Sequence, residues 1–97
     1  MSFIQIIESR TKKFDELHAL ADEFFEATEG KRTLKRSLLT RDRNDPDRYL
    51  IIAFFDSYES AMENSNLPET AAFAEKQMSL LDGPPNFFDL EVIEDRT

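Results

Sequence analysis

The chain is predicted to fold as one α+β domain with the element order β-α-β-β-α-β. Apolar runs typical of strands alternate with stretches of helical period, and turn signals separate all six elements. Both glycines and all four prolines lie at these joints. A chain of 97 residues has the size of a single domain, so residues 1–97 are predicted to form one unit.

The first strand-helix-strand unit begins at the N-terminus. The apolar run Phe3-Ile4-Gln5-Ile6-Ile7 predicts a strand. From Phe14 to Thr28, apolar residues recur at spacings of three and four, which predicts a helix that packs on a sheet by one face. Gly30 is predicted to end this helix. A strand-like segment over residues 33–41 completes the unit.

The second unit is predicted to follow through a hairpin. Residues 44–47 predict a polar loop, and the apolar run 49–55 predicts the next strand. Ser57 is placed at the cap of a short helix. Asn66 is placed at the cap of a second helix, which has Pro68 in its first turn.

The last elements are a helix and a strand. The inward stripe of the second helix is predicted to hold an amide among mostly apolar side chains: Thr70, Phe73, Ala74, Gln77, Met78 and Leu81. Residues 83–86 break the helix, and residues 87–93 predict the closing strand.

Composition and charge exclude several classes of function. The net charge of -8 disfavours a nucleic-acid partner, because a phosphate backbone repels an acidic chain. The absence of cysteine excludes disulfides, thiolate nucleophiles and cysteine-ligated clusters. No tract is apolar enough for a membrane helix, and nothing at the N-terminus is typical of a signal peptide. A cytoplasmic location without membrane contact is therefore expected.

Two polar residues on the predicted apolar stripes are candidate functional groups. His18 is the only imidazole, and imidazole is the usual general base near neutral pH. It is either such a base or a histidine at the rim of the core. Gln77 needs hydrogen-bond partners, which a ligand can supply, although backbone or water supplies them more often.

The charged residues are segregated between elements. Most of the twelve lysine and arginine residues lie between Lys31 and Arg48, whereas acidic residues dominate the closing strand and tail. This pattern indicates either an anion site on the second strand or complementary strand edges, and we prefer the second interpretation.

The chain resembles the antibiotic biosynthesis monooxygenase-like (ABM-like) domains of the dimeric α+β barrel superfamily. The resemblance rests on element order, on residues 49–56 entering the short helix Ser57-Tyr58-Glu59-Ser60-Ala61-Met62, and on the capped helix beginning Asn66-Leu67-Pro68-Glu69. It implies a ferredoxin-like protomer with an antiparallel sheet in the order 4-1-3-2. It also implies a homodimer whose two sheets close a barrel, with ligands bound between sheet and helices.

Two departures from the family pattern bear on the chemistry of the substrate pocket and on haem. Where monooxygenases of this family commonly have a tryptophan near the end of the third strand, this chain has Phe54-Phe55-Asp56. Haem-degrading relatives use a histidine of the second helical region, and residues 66–81 contain none. We therefore expect no haem. A single histidine, the absence of cysteine and carboxylates spread over solvent faces also predict no catalytic transition metal, and no other cofactor is expected.

Three functions remain open from the sequence. The first is cofactor-independent oxidation of a small phenolic or quinol-type aromatic, in a pocket containing Phe55, Phe73 and Gln77 with His18 as base. The second is binding of a small apolar or aromatic molecule without turnover. The third is a purely structural dimer. An enclosed cavity that joins His18 and Gln77 would favour either of the first two, and a filled interior would favour the third.

Overall fold

The computed structural model describes residues 2–97 and has the predicted α+β order. A 3-10 turn over Met78–Leu80 follows the last helix. The strands and helices are β1 (Phe3–Arg10), α1 (Phe14–Ala27), β2 (Arg36–Asp42), β3 (Asp45–Phe55), α2 (Tyr58–Ser65), α3 (Pro68–Gln77) and β4 (Asn86–Glu91).

The four strands form one antiparallel sheet in the order β2-β3-β1-β4. This is the order 4-1-3-2 counted from the opposite edge, so the ferredoxin-like topology is confirmed. The long strands β1 and β3 are central, whereas β2 and β4 are the edges. Phe3 is paired with Phe55, which fixes the side-chain alternation of both central strands.

The two faces of the sheet differ in burial. The inner face carries Phe3, Tyr49, Ala53 and Phe55, all buried and packed beneath the helices. No helix within residues 2–97 covers the other side, which we call the open face. Its apolar side chains are half-buried or exposed and are Ile4, Ile6, Leu38, Leu50, Ile52, Phe54, Phe88 and Leu90.

Two buried threonines fix the ends of α1. Thr11 Oγ1 accepts a hydrogen bond from the backbone N–H of Lys13 at 2.9 Å and donates to the Leu80 carbonyl. Thr28 Oγ1 donates to the Phe24 carbonyl at 2.8 Å. Gly30 follows with a φ of 81°, a left-handed conformation that a glycine adopts without strain. The predicted end of the helix is therefore confirmed.

The predicted polar loop of the hairpin was too long. Strand β3 begins at Asp45, so the turn consists of Arg43 and Asn44. The backbone N–H of Asn44 donates to Asp42 Oδ1 at 2.8 Å, which stabilises this tight turn. Pro46 is tolerated in the strand because it lies beside a register shift, where its missing N–H leaves no regular ladder bond unmade.

The capping role predicted for Asn66 was wrong. Asn66 ends α2, where its backbone N–H donates to the Met62 carbonyl at 3.0 Å. Leu67 precedes α3 in an extended conformation and forms no side-chain cap. Pro68 occupies the first turn as predicted. The two helices are too close for Asn66 to adopt the extended backbone that an N-cap requires.

The inward position predicted for Met78 was also wrong. Helix α3 ends at Gln77, and the chain tightens into the 3-10 turn, which has three residues per turn instead of 3.6. The change of period rotates Met78 away from the sheet, where it is 68% exposed.

Among the helices of residues 2–97, none combines the length and hydropathy needed to cross a bilayer. The cytoplasmic location stays a prediction.

Candidate functional site

A cavity lies between the inner face of the sheet and helices α1 and α3. It has two lobes, of about 180 and 190 Å³. We call the first the His18 lobe and the second the Phe55 lobe, after one lining residue of each. The lobes adjoin, because they share seven lining residues: Ile7, Ala21, Phe25, Ser37, Ile51, Phe73 and Gln77.

The size and lining of the lobes suit aromatic rings. An apolar cavity of about 150 Å³ accommodates one benzene molecule. Each lobe is therefore large enough for one ring, and the shared wall is mainly aliphatic and aromatic. Such a lining with a few polar groups is typical of small-molecule sites.

His18 lies at the rim of its lobe. Its ring stacks on Phe14, with centroids 5.5 Å apart and planes at 14°. The His18 side chain is 53% exposed, and its Nε2 lies 4.0 Å from Asp22 Oδ1. The imidazole therefore contacts both the lobe and the solvent, a position from which a proton can pass to water.

Phe55, Phe73 and Gln77 all line the Phe55 lobe. Phe55 is buried in the core cluster, whereas Phe73 packs against Phe24 of α1 at a centroid distance of 5.3 Å. Phe73 and Gln77 also line the His18 lobe, so the structure brings His18 and Gln77 to the same lobe. Their roles toward a ligand stay predictions.

The Gln77 amide has no hydrogen-bond partner among the described side chains and backbone groups of residues 2–97. The polar atoms of this amide are also not fully buried, so they remain accessible. No backbone group therefore supplies the partner that the amide needs. An amide without an internal partner on a mainly apolar wall can anchor a polar atom of a ligand.

Two functional candidates were missed in the sequence. Tyr49 is 5% exposed and lines the His18 lobe. Arg41 donates to its phenol oxygen from Nε at 3.1 Å and from Nη2 at 2.9 Å. The two residues are partners across β2 and β3. The alternation of the strands puts both on one face, but only the register of the hairpin makes them neighbours.

Within the described part of the chain, no group of three or more histidine, cysteine, aspartate or glutamate side chains is arranged to hold a metal ion. The cavity walls contribute His18 and Asp22 as the only such residues of the His18 lobe. The expectation that no cofactor takes part stays a prediction.

Comparison with solved structures identifies the fold. SnoaB, a cofactor-independent oxygenase from Streptomyces nogalater solved as a point mutant, superposes with a TM-score of 0.82 at 12% identity, covering 97% of this chain and 95% of that one. A provisionally named antibiotic biosynthesis monooxygenase from Nitrosomonas europaea has a TM-score of 0.80 at 10% identity, covering 95% and 90%. The chain has the ABM-like fold.

A third structure extends the similarity over both whole chains. Rv0793 from Mycobacterium tuberculosis has a TM-score of 0.82 at 14% identity and covers 100% of each chain. No protein-family model and no curated protein matches the sequence. At such low identities the similarity shows the ABM-like fold alone, and the chemistry has to be argued from the cavity of this chain.

Proposed function

We propose that this ABM-like domain is a cofactor-independent monooxygenase of a small phenolic or quinol-type aromatic. The observation that carries the proposal is the pair of neighbouring lobes, each large enough for one ring, of which the His18 lobe is lined by both His18 and Gln77. The cofactor-independent oxygenase SnoaB, which has the same fold, supports this class of reaction.

The proposed chemistry needs a base and a dry pocket. His18 accepts the proton of the phenol and passes it to the solvent that its exposed side reaches. The resulting phenolate is electron-rich enough to reduce O₂. One oxygen atom enters the product, the other leaves as water, and the substrate supplies all the electrons. Gln77 forms a hydrogen bond with a polar atom of the substrate, and Phe73 packs against the substrate ring.

The test uses 1-naphthol, a phenol with two rings. Its oxidation to 1,4-naphthoquinone consumes one O₂ and releases one water. Under labelled O₂, we expect protein-dependent formation of quinone that carries one labelled oxygen, measured by mass spectrometry. Failure to form quinone, with saturable binding of 1-naphthol retained, would favour the alternative of a binding domain without turnover.

A matched pair of variants locates the reaction. Ala21 lines both lobes, so Ala21→Phe should fill the cavity and abolish both binding and turnover. Ala19 is exposed on the same helix, and Ala19→Phe should leave both unchanged. If neither probe binding nor turnover occurs in the wild type, the proposal is wrong and a purely structural role is left.

We further propose that the domain acts as a homodimer through the open face. Eight apolar side chains occupy that face without a covering helix among residues 2–97. A sheet normally buries one face against another layer, and a contiguous apolar patch on a protein surface marks an interaction site. The occupant we propose is a second copy of this chain, because its open face is equally apolar and its edge strands carry opposite charges.

A further inference from the structure

The hydroxyl of Tyr49 is prepared to act as a donor in the His18 lobe. Arg41 Nε and Nη2 both donate to the phenol oxygen. A phenol oxygen has one hydrogen and a limited acceptor capacity, which these two bonds occupy. The Tyr49 hydroxyl can therefore form one further hydrogen bond, in which its own O–H is the donor.

No acceptor for this hydrogen is found in residues 2–97. The hydrogen bonds of the Tyr49 hydroxyl in that range are the two that it accepts from Arg41. Leaving a buried donor without an acceptor is unfavourable, and an acceptor atom on a bound ligand would remove this cost. Tyr49 lines the lobe, so a ligand there can supply that atom.

The guanidinium of Arg41 is held firmly behind the hydroxyl. Its Cζ lies 5.3 Å from the ring centroid of Phe14 and 5.1 Å from that of Tyr49. The two rings are themselves stacked, with centroids 4.7 Å apart. A positive charge next to a donor favours a negatively charged acceptor, although the exposure of Arg41 to solvent weakens this effect.

We propose that Tyr49 and Arg41 form an oxyanion-binding element, through which the cavity selects ligands as phenolates. Tyr49 donates its hydrogen to the phenolate oxygen, and Arg41 is a positioning residue that acts through Tyr49. The inference rests on the proposed function, since it names the group by which the same cavity holds its ligand. When the ligand O–H bond breaks, the proton goes to His18 and the electron pair stays on the oxygen that Tyr49 binds.

The test compares 4-nitrophenol with nitrobenzene, which has the same ring but no ionisable oxygen. Affinities are measured by calorimetry at a pH at which both forms of 4-nitrophenol are present. The absorbance of the bound probe reports its form directly. We expect binding to shift bound 4-nitrophenol toward the phenolate, and the phenolate to bind about tenfold to a hundredfold more tightly than nitrobenzene.

Variants separate the hydrogen bond from the charge. Tyr49→Phe keeps the ring stack but removes the donor, and Arg41→Met removes the charge. Each should abolish the shift toward phenolate while nitrobenzene affinity stays within about twofold, which also shows that the cavity remains folded. Arg41→Lys should restore part of the shift because it keeps the charge. Arg43→Met, in the exposed hairpin turn, is the matched control and should leave the shift unchanged.

The outcomes distinguish this inference from the proposed function. Equal affinity for the two probes, or an unchanged shift in Tyr49→Phe, would reject the oxyanion element and leave the aromatic cavity standing. Absence of saturable binding by either probe to the wild type would reject both.

Discussion

Arg48 Nε donates a hydrogen bond to Glu8 Oε2 at 2.7 Å on the open face of the sheet. The same guanidinium donates from Nη1 to Asp42 Oδ2 at 2.9 Å, so one arginine joins β1, β2 and β3. Asn86 of β4 donates to Glu8 Oε1 at 2.8 Å. All four strands therefore meet in one polar network at the end of the open face.

This network should make the stability depend on pH. The hydrogen bond from Asn86, followed by that from Arg48, holds the pKa of Glu8 below its ordinary value of 4.5. The Asn44 backbone N–H, followed by Arg48, likewise lowers the pKa of Asp42 from 3.8. A carboxyl with a depressed pKa stabilises the fold above its ordinary pKa, and this stabilisation is lost as the pH falls through the lowered value.

We therefore expect Arg48→Met to be less stable than the wild type at neutral pH, with the difference shrinking in acid. Urea unfolding at a series of pH values, from neutral to below the ordinary pKa of Asp42, measures this. Lys12→Met removes only an exposed pair and is the control. A stability difference that is constant across the series would contradict the assignment.

Ser57 should contribute to stability as a helix cap, whereas Asn66 should not. Ser57 Oγ accepts from the Ser60 backbone N–H at 3.1 Å, while the side chain of Asn66 caps no helix. Ser57→Ala should lower the free energy of unfolding by about 1 kcal/mol, as the loss of an N-cap does. Asn66→Ala should change it much less in the same denaturant series. Equal losses would contradict the assigned caps.

Gln77→Leu should affect ligand binding more than folding. The Gln77 amide makes no hydrogen bond within residues 2–97, so an apolar replacement of similar size removes no internal partner. We expect roughly a two- to tenfold loss of affinity for 1-naphthol, the effect of one neutral hydrogen bond. Thermal unfolding of the unliganded variant is the accompanying measurement. A marked fall in its melting temperature would instead assign Gln77 to the core.

The open face should hold the proposed dimer together by apolar burial. Phe88 lies on that face and is 48% exposed, so Phe88→Glu should place a charge in the interface and dissociate the dimer. Met78 is also exposed but lies after α3, away from the open face, and Met78→Glu is the control. Sedimentation velocity measures both. A wild type that is monomeric at micromolar concentrations would reject the dimer.

Charges at the strand edges should set the register of this dimer. The double change of Lys35 and Arg36 to glutamate should weaken association at low salt, and adding lysines at Asp89 and Glu91 should partly restore it. Each exposed pair contributes only about 0.2 to 1 kcal/mol, so the effects should be modest. Arg41 also lies on the basic edge strand β2, but it is not changed in this test because it donates to the Tyr49 hydroxyl. Failure of the rescue, measured by sedimentation, would reject this edge pairing.

Local sequence was sufficient for the elements whose signals lie within one segment. The period of α1, the glycine that ends it, the Ser57 cap and the alternation of the central strands all depend on neighbouring residues. Each of these features follows from residue type and from the spacing of side chains along the chain, and both can be read from the sequence. The grouping of Phe73 and Gln77 was predictable for the same reason, since they lie four residues apart on one helix.

Tertiary structure decided the features that depend on distance along the chain. Arg41 and Tyr49 meet through a two-residue turn and a register shift in the hairpin, neither of which the sequence indicated. Likewise, Asn66 lost its predicted capping role to the close succession of α2 and α3, and Met78 turned outward when α3 tightened. The sequence determined which side chains share a face. The docking of α1 and α3 on the sheet determined which of them share a cavity, because that packing depends on every element at once.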